Sequence, residues 1–239
     1  GLRPDAEHVV GTFDRPNLTY AVRERAGAET DLRPLLLSGG GCTIVYATTV
    51  KEVESLADKA RTWGVDAAAY HAQLPLEKRR EVHRRFVHDE VPVVVATVAF
   101  GMGIDKPDVR FVAHWGPPKT LEAYYQQAGR AGRDGEPATC VLHASPADWP
   151  SLERLLTRDA TPEAAQRALA GVRAMRAFCD DAECRRVALA AHFGDESVAP
   201  CGKCDACEFR DKGATVDASA LARALLACVD ALEGRCGRT

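Results

Sequence analysis

The chain has 239 residues, of which 46% are hydrophobic and 27% are charged, and its formal net charge is −3 at pH 7. This composition is that of a folded globular protein and excludes a disordered one. The small negative charge excludes electrostatic adhesion over the whole surface, although basic residues gathered on one face still allow a nucleic-acid partner.

No segment predicts a membrane span or a secretory signal. The longest apolar runs, such as residues 91–101, are far shorter than the ~20 residues that a span needs. Residues 1–6 carry Arg3 and Asp5 and lead to no apolar stretch of the signal-peptide kind. We therefore expect a protein of the cytosol or the nucleus, where thiols stay reduced. The nine cysteines then indicate metal binding before disulfides.

Residues 42–142 alternate between short β-rich segments and helical segments. The predicted strands are residues 42–46, 67–70, 92–97, 110–114 and 139–142. The predicted helices run from Thr49, which forms a capping box with Glu52, to about Trp63, and over residues 75–88 and 120–128. Repeated strand–helix–strand units predict an open α/β fold with a parallel sheet and right-handed crossovers.

The pattern becomes helical after residue 145. Ser145-Pro146 and Thr161-Pro162 each join an N-cap residue to a proline at the first helical position, and helix is predicted as far as Phe193. A cysteine-rich turn, a polar joint at residues 211–213 and an amphipathic stretch over residues 217–232 follow. The predicted domains are residues 1–145, 146–212 and 213–239, and we expect the last to be cut short.

Four cysteines have the spacing of a metal site. Cys201-x-x-Cys204-x-x-Cys207 places three thiolates in one turn, and Cys184 would complete a tetrahedron. Four thiolates on zinc leave no open coordination position, so the predicted site is structural and its binding energy is folding energy. Cys179 is an alternative fourth ligand, and we prefer Cys184 because the arginine pair after it anchors a helix facing the turn. The cysteines in apolar runs, expected in the core, are Cys42, Cys140 and Cys228, and Cys236 has no predicted role.

A catalytic zinc of the deaminase type is a weaker alternative. Pro200-Cys201-x-x-Cys204 matches half of that signature, and His88-Asp89-Glu90 formally matches the other half. The two halves lie far apart in sequence, and this assignment leaves Cys184 and Cys207 without a role.

A second signature concerns phosphate. Arg130 and Arg133 follow the helix predicted at residues 120–128 and lie among small residues. Guanidinium groups bind phosphate oxygens bidentately and can stabilise charge in phosphoryl transfer. Residues 96–107 leave a buried strand and enter a glycine-rich loop, which is where an α/β sheet places ligand-binding groups.

With these segments the chain resembles the second motor lobe of superfamily 2 helicases. Residues 124–135, the cysteine module at residues 184–207 and Phe13-Asp14-Arg15-Pro16-Asn17 are similar to the RecQ family. The resemblance implies a RecA-like parallel-sheet lobe, a small helical zinc-binding domain and, from Asp217, the start of a truncated winged helix. It implies an ATP-dependent enzyme that unwinds DNA 3′→5′ in recombination and repair, at the nucleoid of a bacterium or in a nucleus. The implied partners are ATP and DNA, both single strands and duplex junctions.

The resemblance also implies roles for single residues. Arg130 and Arg133 match arginines that reach the γ-phosphate of ATP on the partner lobe, and Arg133 is the predicted arginine finger. Gln126 matches the glutamine of the same motif, and Asp105 matches an acid near the nucleotide or the interlobe contact. The positions that match DNA-tracking residues are Thr48, His71 and Thr97.

Other readings of these positions stay open. Thr48 can instead belong to a helix start, and His71 can hold a loop. Gln73 stands where the family usually has glycine, and Gln127 stands where it usually has glutamate.

The chain contains no Gly-x-x-x-x-Gly-Lys-[Ser/Thr] and no Asp-Glu-x-His. The resemblance places both in an N-terminal lobe that this chain lacks, so ATP and Mg²⁺ are expected only when that lobe is joined in cis. We expect the chain alone to be inactive as an ATPase. The alternative function is a non-catalytic zinc-bearing module that binds DNA or another protein.

Overall fold

The computed structural model describes residues 12–38, 40–101 and 104–211, together with residues 219, 223, 226 and 227. The chain forms two compact units, Gly1–Glu208 and Phe209–Thr239. The predicted start of a winged helix, in residues 213–239, lies almost entirely outside the described residues. Cys228 and Cys236 lie outside them as well.

The described strands form one parallel sheet in the order β1-β6-β5-β2-β4-β3. The strands are β1 (Leu18–Glu24), β2 (Cys42–Tyr46), β3 (Ala67–Tyr70), β4 (Val93–Ala96), β5 (Val109–His114) and β6 (Ala138–Ala144). The predicted open α/β sheet is confirmed, and the five predicted strands lie within about two residues of their observed bounds.

Eight α-helices and one short 3-10 helix, Arg25–Gly27, accompany the sheet in the described residues up to 211. Those around the sheet are α1 (Ala28–Leu37), α2 (Val50–Thr62), α3 (Leu76–Val87) and α4 (Leu121–Ala128). Those that follow the last strand are α5 (Asp148–Thr157), α6 (Pro162–Asp180), α7 (Arg185–His192) and α8 (Asp205–Asp211). None of the helices among the described residues is both long and apolar enough to cross a membrane.

Local capping chemistry determines where several helices begin. The Thr49 hydroxyl accepts from the Glu52 amide at 3.2 Å, and the Glu52 carboxylate accepts from the Thr49 amide at 3.0 Å, so the predicted capping box of α2 is confirmed. Thr161 caps α6 as predicted. The start predicted at Ser145 is wrong, because α5 begins at Asp148. The Asp148 carboxylate accepts from the Ser145 amide at 2.7 Å, so this serine pairs with a helical side chain and caps no helix amide.

Strand β1 and helix α1 were not predicted from the sequence. Helix α1 contains Pro34 in its interior, which removes a helix hydrogen bond and normally argues against a helix. Packing overrides this cost, because Leu32 and Leu36 are buried against the sheet. Strand β1 is an edge strand whose seven residues pair in parallel register with β6.

The two faces of the sheet carry separate cores. Along β2, Ile44 and Tyr46 point to one face and Val45 to the other, as the strand's two-residue period requires. Helices α1 and α2 cover the Val45 face. The other face is covered by α3 and α4 and also by helices of the predicted zinc-binding domain. Their buried contributions are Trp149, Leu152, Val172, Met175, Phe178 and Leu189. Helices α5–α7 and the sheet therefore share one hydrophobic core.

This shared core predicts that α6 and the sheet unfold together. Met175 is fully buried, so Met175→Ala should lower the free energy of unfolding by about 2–5 kcal/mol, because it leaves a cavity in that core. Denaturant unfolding followed by tryptophan fluorescence and by far-UV circular dichroism should give one coincident transition. Leu155→Ala, on the exposed side of α5, is the control and should change stability little. Two separate transitions for α6 and the sheet would contradict the shared core.

Candidate functional site

The three positions matched to DNA contacts lie at one edge of the sheet. Thr48, His71 and Thr97 follow the carboxyl ends of β2, β3 and β4, which are neighbours in the parallel sheet. The Thr97 amide donates to the Tyr70 carbonyl at 3.1 Å, which keeps the departing segments paired beyond the strands. The carboxyl edge of a parallel sheet is the usual place for ligand-binding groups.

The side chains at this edge differ in exposure. Thr48 is exposed and borders a cavity of about 220 Å³, and Thr49, not Thr48, caps α2. Thr97 is half-buried, and its hydroxyl accepts from the Ala99 amide at 3.4 Å. His71 is buried, with Nε2 3.4 Å from a Glu54 carboxylate oxygen, and its carbonyl accepts from the Leu74 amide. Thr48 therefore does not cap a helix, which was the alternative role for this residue. His71 is buried and bonded within its own loop, which agrees with the alternative that it holds the loop.

Residues 129–133, here called the arginine loop, follow the end of α4. The loop contacts the amino end of β5, where the Gly132 amide donates to the Val109 carbonyl at 2.9 Å. Gly132 has a φ of +54°, and a Cβ there would lie 2.5 Å from the Asn17 side-chain nitrogen and 2.7 Å from the Glu136 carbonyl oxygen. Only glycine fits this turn, since any side chain would collide and strain the backbone.

Arg133 lies at the surface and contacts the segment that follows the glycine-rich loop. Its Nη1 donates to the Ile104 carbonyl at 2.9 Å and to the Asp105 carboxylate at 3.1 Å. The structure thus brings two predicted site residues together. The Asp105 side chain is 94% exposed, and exposed ion pairs contribute only about 0–1 kcal/mol. Arg133 can therefore leave Asp105 for a stronger anion at small cost.

Arg130 is half-buried and packs inside the lobe. Its guanidinium lies beside the Tyr46 hydroxyl, which donates to the Phe100 carbonyl at 2.9 Å. Burial raises the pKa of Tyr46 to about 12, against the opposing charge of Arg130. A Cβ on Gly101 would lie 3.0 Å from Arg130 Nη2. Arg130 therefore braces the loop after β4, whereas Gln126 is exposed on α4.

Gln127 connects α4 to β5 in the core. It is buried, and its side-chain oxygen lies 3.0 Å from His114 Nε2. Burial lowers the pKa of His114 to about 3, so its imidazole is neutral at pH 7 and donates from Nε2 to the amide oxygen. Sequence reasoning noted Gln127 only as a departure from the family pattern, because its partner is thirteen residues away on another element.

The pair predicts a change of pKa. In Gln127→Glu a carboxylate beside Nε2 would favour the imidazolium, so the pKa of His114 should rise from about 3 toward its ordinary 6.5. In the unsubstituted protein the unfolded chain takes up this proton below 6.5 while the folded chain does not until about 3, so stability falls as pH decreases between these values. That loss should be smaller in the variant. An NMR titration of His114 checks the shift. Gln126→Glu is the matched control, and an unchanged His114 in Gln127→Glu would contradict the pairing.

The four predicted zinc ligands form one cluster. The sulfur atoms of Cys184, Cys201, Cys204 and Cys207 all lie within 4.8 Å of one another. Cys184 Sγ lies 3.6 Å from Cys201 Sγ and 3.9 Å from Cys204 Sγ. A tetrahedral zinc with bonds of about 2.3 Å requires sulfur separations of about 3.8 Å. The donor set and its spacing fit a closed zinc site.

Cys179 is not part of this cluster. It lies in α6 against the core that the sheet shares with α5–α7, where burial raises the pKa of its thiol to about 12. Cys184 caps α7 and faces the cysteine turn. The geometry therefore favours Cys184 over Cys179 as the fourth ligand. Cys42 and Cys140 are buried in the core, as expected.

The electrostatics of the cluster suit a divalent cation. Burial would raise the pKa of Cys184, but amide hydrogen bonds, including one from Cys201 at 3.3 Å, lower it to about 7. Burial and the neighbouring thiols raise the pKa of Cys201 to about 12. Four thiolates cannot share this volume without a positive charge among them, and zinc supplies that charge when bound.

Arg185 organises the helices around the cluster. Its side chain is 8% exposed and forms a bidentate pair with Asp205, with Nη2 2.9 Å from the carboxylate. It also donates to the carbonyls of Phe178 and Asp181. One guanidinium thus connects the end of α6 with the starts of α7 and α8. This is the anchoring role that the sequence assigned to the arginine pair.

A second group of side chains that could bind a metal is already paired with a lysine. Cys42, Asp89 and Asp108 could together hold a metal ion. The buried Lys106 ammonium lies among them, 2.7 Å from Asp89 and 3.1 Å from Asp108. The cation at this place is therefore the lysine, and the group is structural.

The cysteine geometry predicts which substitution removes zinc. Cys184→Ser should lower bound zinc from about one ion per chain to near zero, while Cys179→Ser should leave it unchanged. Hydrogen exchange should show protection lost over residues 201–208 and kept in the sheet, because α5–α7 pack on the sheet core. Metal analysis with exchange mass spectrometry makes the comparison. Retained zinc in Cys184→Ser with loss in Cys179→Ser would reverse the assignment.

Comparison with known proteins agrees with this geometry. Residues 28–135 match the family described as helicase conserved C-terminal domain, and residues 146–208 match the family described as RecQ zinc-binding. The parallel-sheet lobe with its arginine loop and four-cysteine cluster is a helicase C-terminal motor lobe joined to a zinc-binding domain. Together the two regions cover most of the chain. The chain belongs to the RecQ family.

Named relatives support this assignment. The chain is 42% identical over 210 residues to "ATP-dependent DNA helicase RecQ" of Pasteurella multocida. The matched region covers 86% of this chain and 33% of the relative. It is 43% identical over 201 residues to the protein of the same name from Haemophilus influenzae, covering 83% of this chain and 32% of the relative. The chain thus spans about a third of the length of these relatives.

Similarity to a solved structure concerns the fold alone. The crystal structure of the yeast DEAD-box splicing factor Prp28 matches with a TM-score of 0.52 and 20% identity, over 65% of this chain and 37% of that one. The RecA-like α/β fold expected from the sequence is confirmed.

Proposed function

We propose that this chain forms the second motor lobe and the zinc-binding domain of an ATP-dependent helicase that unwinds DNA 3′→5′. The observation that carries the proposal is Arg133, an exposed arginine weakly paired with Asp105, in a helicase C-terminal domain. The names of the relatives support ATP and DNA as substrates. The role in recombination and repair, and a location at the nucleoid or in the nucleus, follow from the same family assignment.

The proposed chemistry assigns each part of the arginine loop a separate task. Arg133 would leave Asp105 and contact the γ-phosphate, where its guanidinium stabilises charge that develops in phosphoryl transfer. Arg130, packed beside Tyr46 and Gly101, would hold the loop after β4 in place. Exposed Gln126 and Asp105 would face the nucleotide or the partner lobe.

ATP and Mg²⁺ would be held mainly outside this chain. The sequence contains no P-loop lysine and no Walker B acid, so the preceding lobe would supply both. Mg²⁺, when bound, neutralises phosphate charge. The residues of this chain would complete the site when the two lobes meet, which agrees with the expectation that the chain alone is inactive.

DNA would be tracked along the carboxyl edge of the sheet. Thr48 and Thr97 each place a side-chain hydroxyl at this edge, just after the ends of two neighbouring strands. Helix α4 begins after the segment that follows β5 at this edge and ends at the arginine loop near Val109. One short rigid helix therefore connects the proposed DNA edge with the proposed phosphate-binding arginines, and provides a physical connection between the two activities.

The test uses the full-length protein with its preceding lobe. Arg133→Ala should lower DNA-stimulated ATP hydrolysis by about 10³–10⁵-fold, the usual effect of removing an arginine finger. Arg61→Ala is the control, since Arg61 bonds Asp58 on α2 and the Ala67 carbonyl at the start of β3, and its loss should leave the rate unchanged. A full ATPase rate in folded Arg133→Ala would overturn the role of Arg133. No ATP hydrolysis by the folded, unsubstituted full-length protein would overturn the motor assignment and favour the non-catalytic zinc-bearing module.

A further inference from the structure

Residues 12–17, here called the strap, run across the arginine loop. The Arg15 guanidinium donates to the carbonyls of Gly129, Ala131 and Gly132, at 3.3, 3.0 and 2.9 Å. The Asn17 side-chain nitrogen also donates to the Gly132 carbonyl, at 2.8 Å. These carbonyls follow the end of α4 and have no partner within the helix. The Arg15 and Asn17 side chains therefore hold the backbone from which Arg130 and Arg133 project, and Arg15 alone contacts three of its carbonyls.

The other side of the strap contacts the zinc-binding domain. Asp14 pairs with Arg186, whose Nη2 lies 2.8 Å from the carboxylate. The Lys203 ammonium donates to the Pro16 carbonyl at 2.8 Å. The Phe13 ring stacks on Phe193 with centroids 4.7 Å apart.

These contact residues belong to the zinc cluster's own segments. Lys203 lies between Cys201 and Cys204, and Arg186 is two residues after Cys184. Their positions depend on the fold that four thiolates and zinc stabilise. The strap is thus bonded on one side to the arginine loop and on the other to residues that the cluster positions.

Helix α4 closes the connection. The Tyr125 hydroxyl donates to the Phe13 carbonyl at 3.0 Å, and its ring lies 4.8 Å from that of Phe193. Tyr125 lies one helical turn before the arginine loop, and the Gly129 amide donates to its carbonyl at 2.8 Å. The strap, the last turn of α4 and the zinc-binding domain therefore form one packed set of contacts.

We propose that Arg15 is a positioning residue for the arginine loop and that the strap transmits the fold of the zinc-binding domain to Arg133. The proposal rests on the proposed function, because it needs Arg133 to act in ATP hydrolysis. Arg15 contacts backbone carbonyls only and touches no reacting atom. Its effect is on where Arg133 lies, and displacement of a catalytic group by about 1 Å can cost about 10²-fold in rate.

The experiment measures steady-state ATP hydrolysis with saturating single-stranded DNA in the full-length protein. Arg15→Ala should lower kcat by about 10–100-fold, because the Gly129 and Ala131 carbonyls lose the Arg15 donor, Gly132 loses one of its donors, and the loop shifts. The KM for ATP should stay within about twofold, because Arg15 contributes no uniform binding of substrate. Zinc content should be unchanged. Arg61→Ala is the matched control, since it also removes an arginine that donates to a backbone carbonyl.

A double substitution separates positioning from general destabilisation. If Arg15 acts through Arg133, Arg15→Ala should produce no further loss in an Arg133→Ala background, because the group that it positions is already absent. An equal loss of kcat in both backgrounds would overturn the proposal. So would an Arg15→Ala protein with an unchanged kcat, or one whose loss equals that of Arg61→Ala at the same stability.

A second variant covers the case in which Arg15→Ala does not fold. Asp14→Asn keeps the shape of the side chain and weakens the pair with Arg186, at the side of the strap that faces the zinc-binding domain. It should lower kcat less than Arg15→Ala and leave zinc bound, and an unchanged kcat would contradict transmission through the strap. If the folded, unsubstituted protein does not hydrolyse ATP, the proposed function fails. If Arg133→Ala keeps full activity, the role of Arg133 fails, and with it the positioning role of Arg15. If Arg15→Ala and Asp14→Asn keep full activity while Arg133→Ala loses it, the motor assignment stands and the positioning role of Arg15 fails.

Discussion

A parallel sheet must be covered on both faces, and this requirement organises the whole described part of the chain. Helices α1 and α2 cover one face, but α3 and α4 do not complete the other. Helices α5–α7 of the zinc-binding domain supply the remaining cover, with Phe178 and Met175 buried in the sheet's core. Because these helices cover the sheet, the zinc-binding domain and the arginine loop both lie within reach of the strap. The boundary predicted near residue 145 separates two sequence patterns, and it does not separate two cores.

Arginines in this chain divide by what their guanidinium groups contact. Arg185 and Arg15 donate to backbone carbonyls at helix ends, and these buried or half-buried bonds hold the backbone in one arrangement. Arg133 donates to the Ile104 carbonyl and has one exposed carboxylate partner, Asp105, that it can exchange at small cost. The arginines that hold the backbone are thus more buried than the arginine that can take another anion.

Prediction from the sequence succeeded where the information was local. The capping box at Thr49 and the run of valines in β4 each specify an element within a few residues. It failed for α1, because Pro34 is unfavourable in a helix and is tolerated only through burial of its neighbours. It also failed at Ser145, where the side chain pairs with Asp148. Both errors arise from tertiary packing overriding a local preference.

The sequence alone determined the parallel-sheet class, the four cysteines and the two loop arginines, because period, spacing and residue chemistry are properties of short segments. Tertiary structure decided the rest. It placed Cys179 outside the cluster of four that the sequence preferred, buried His71, paired Gln127 with His114 and joined the strap to both the arginine loop and the zinc-binding domain. The partners of the strap are more than a hundred residues away in sequence. Contacts of that separation exist only after the sheet and its covering helices have formed one core.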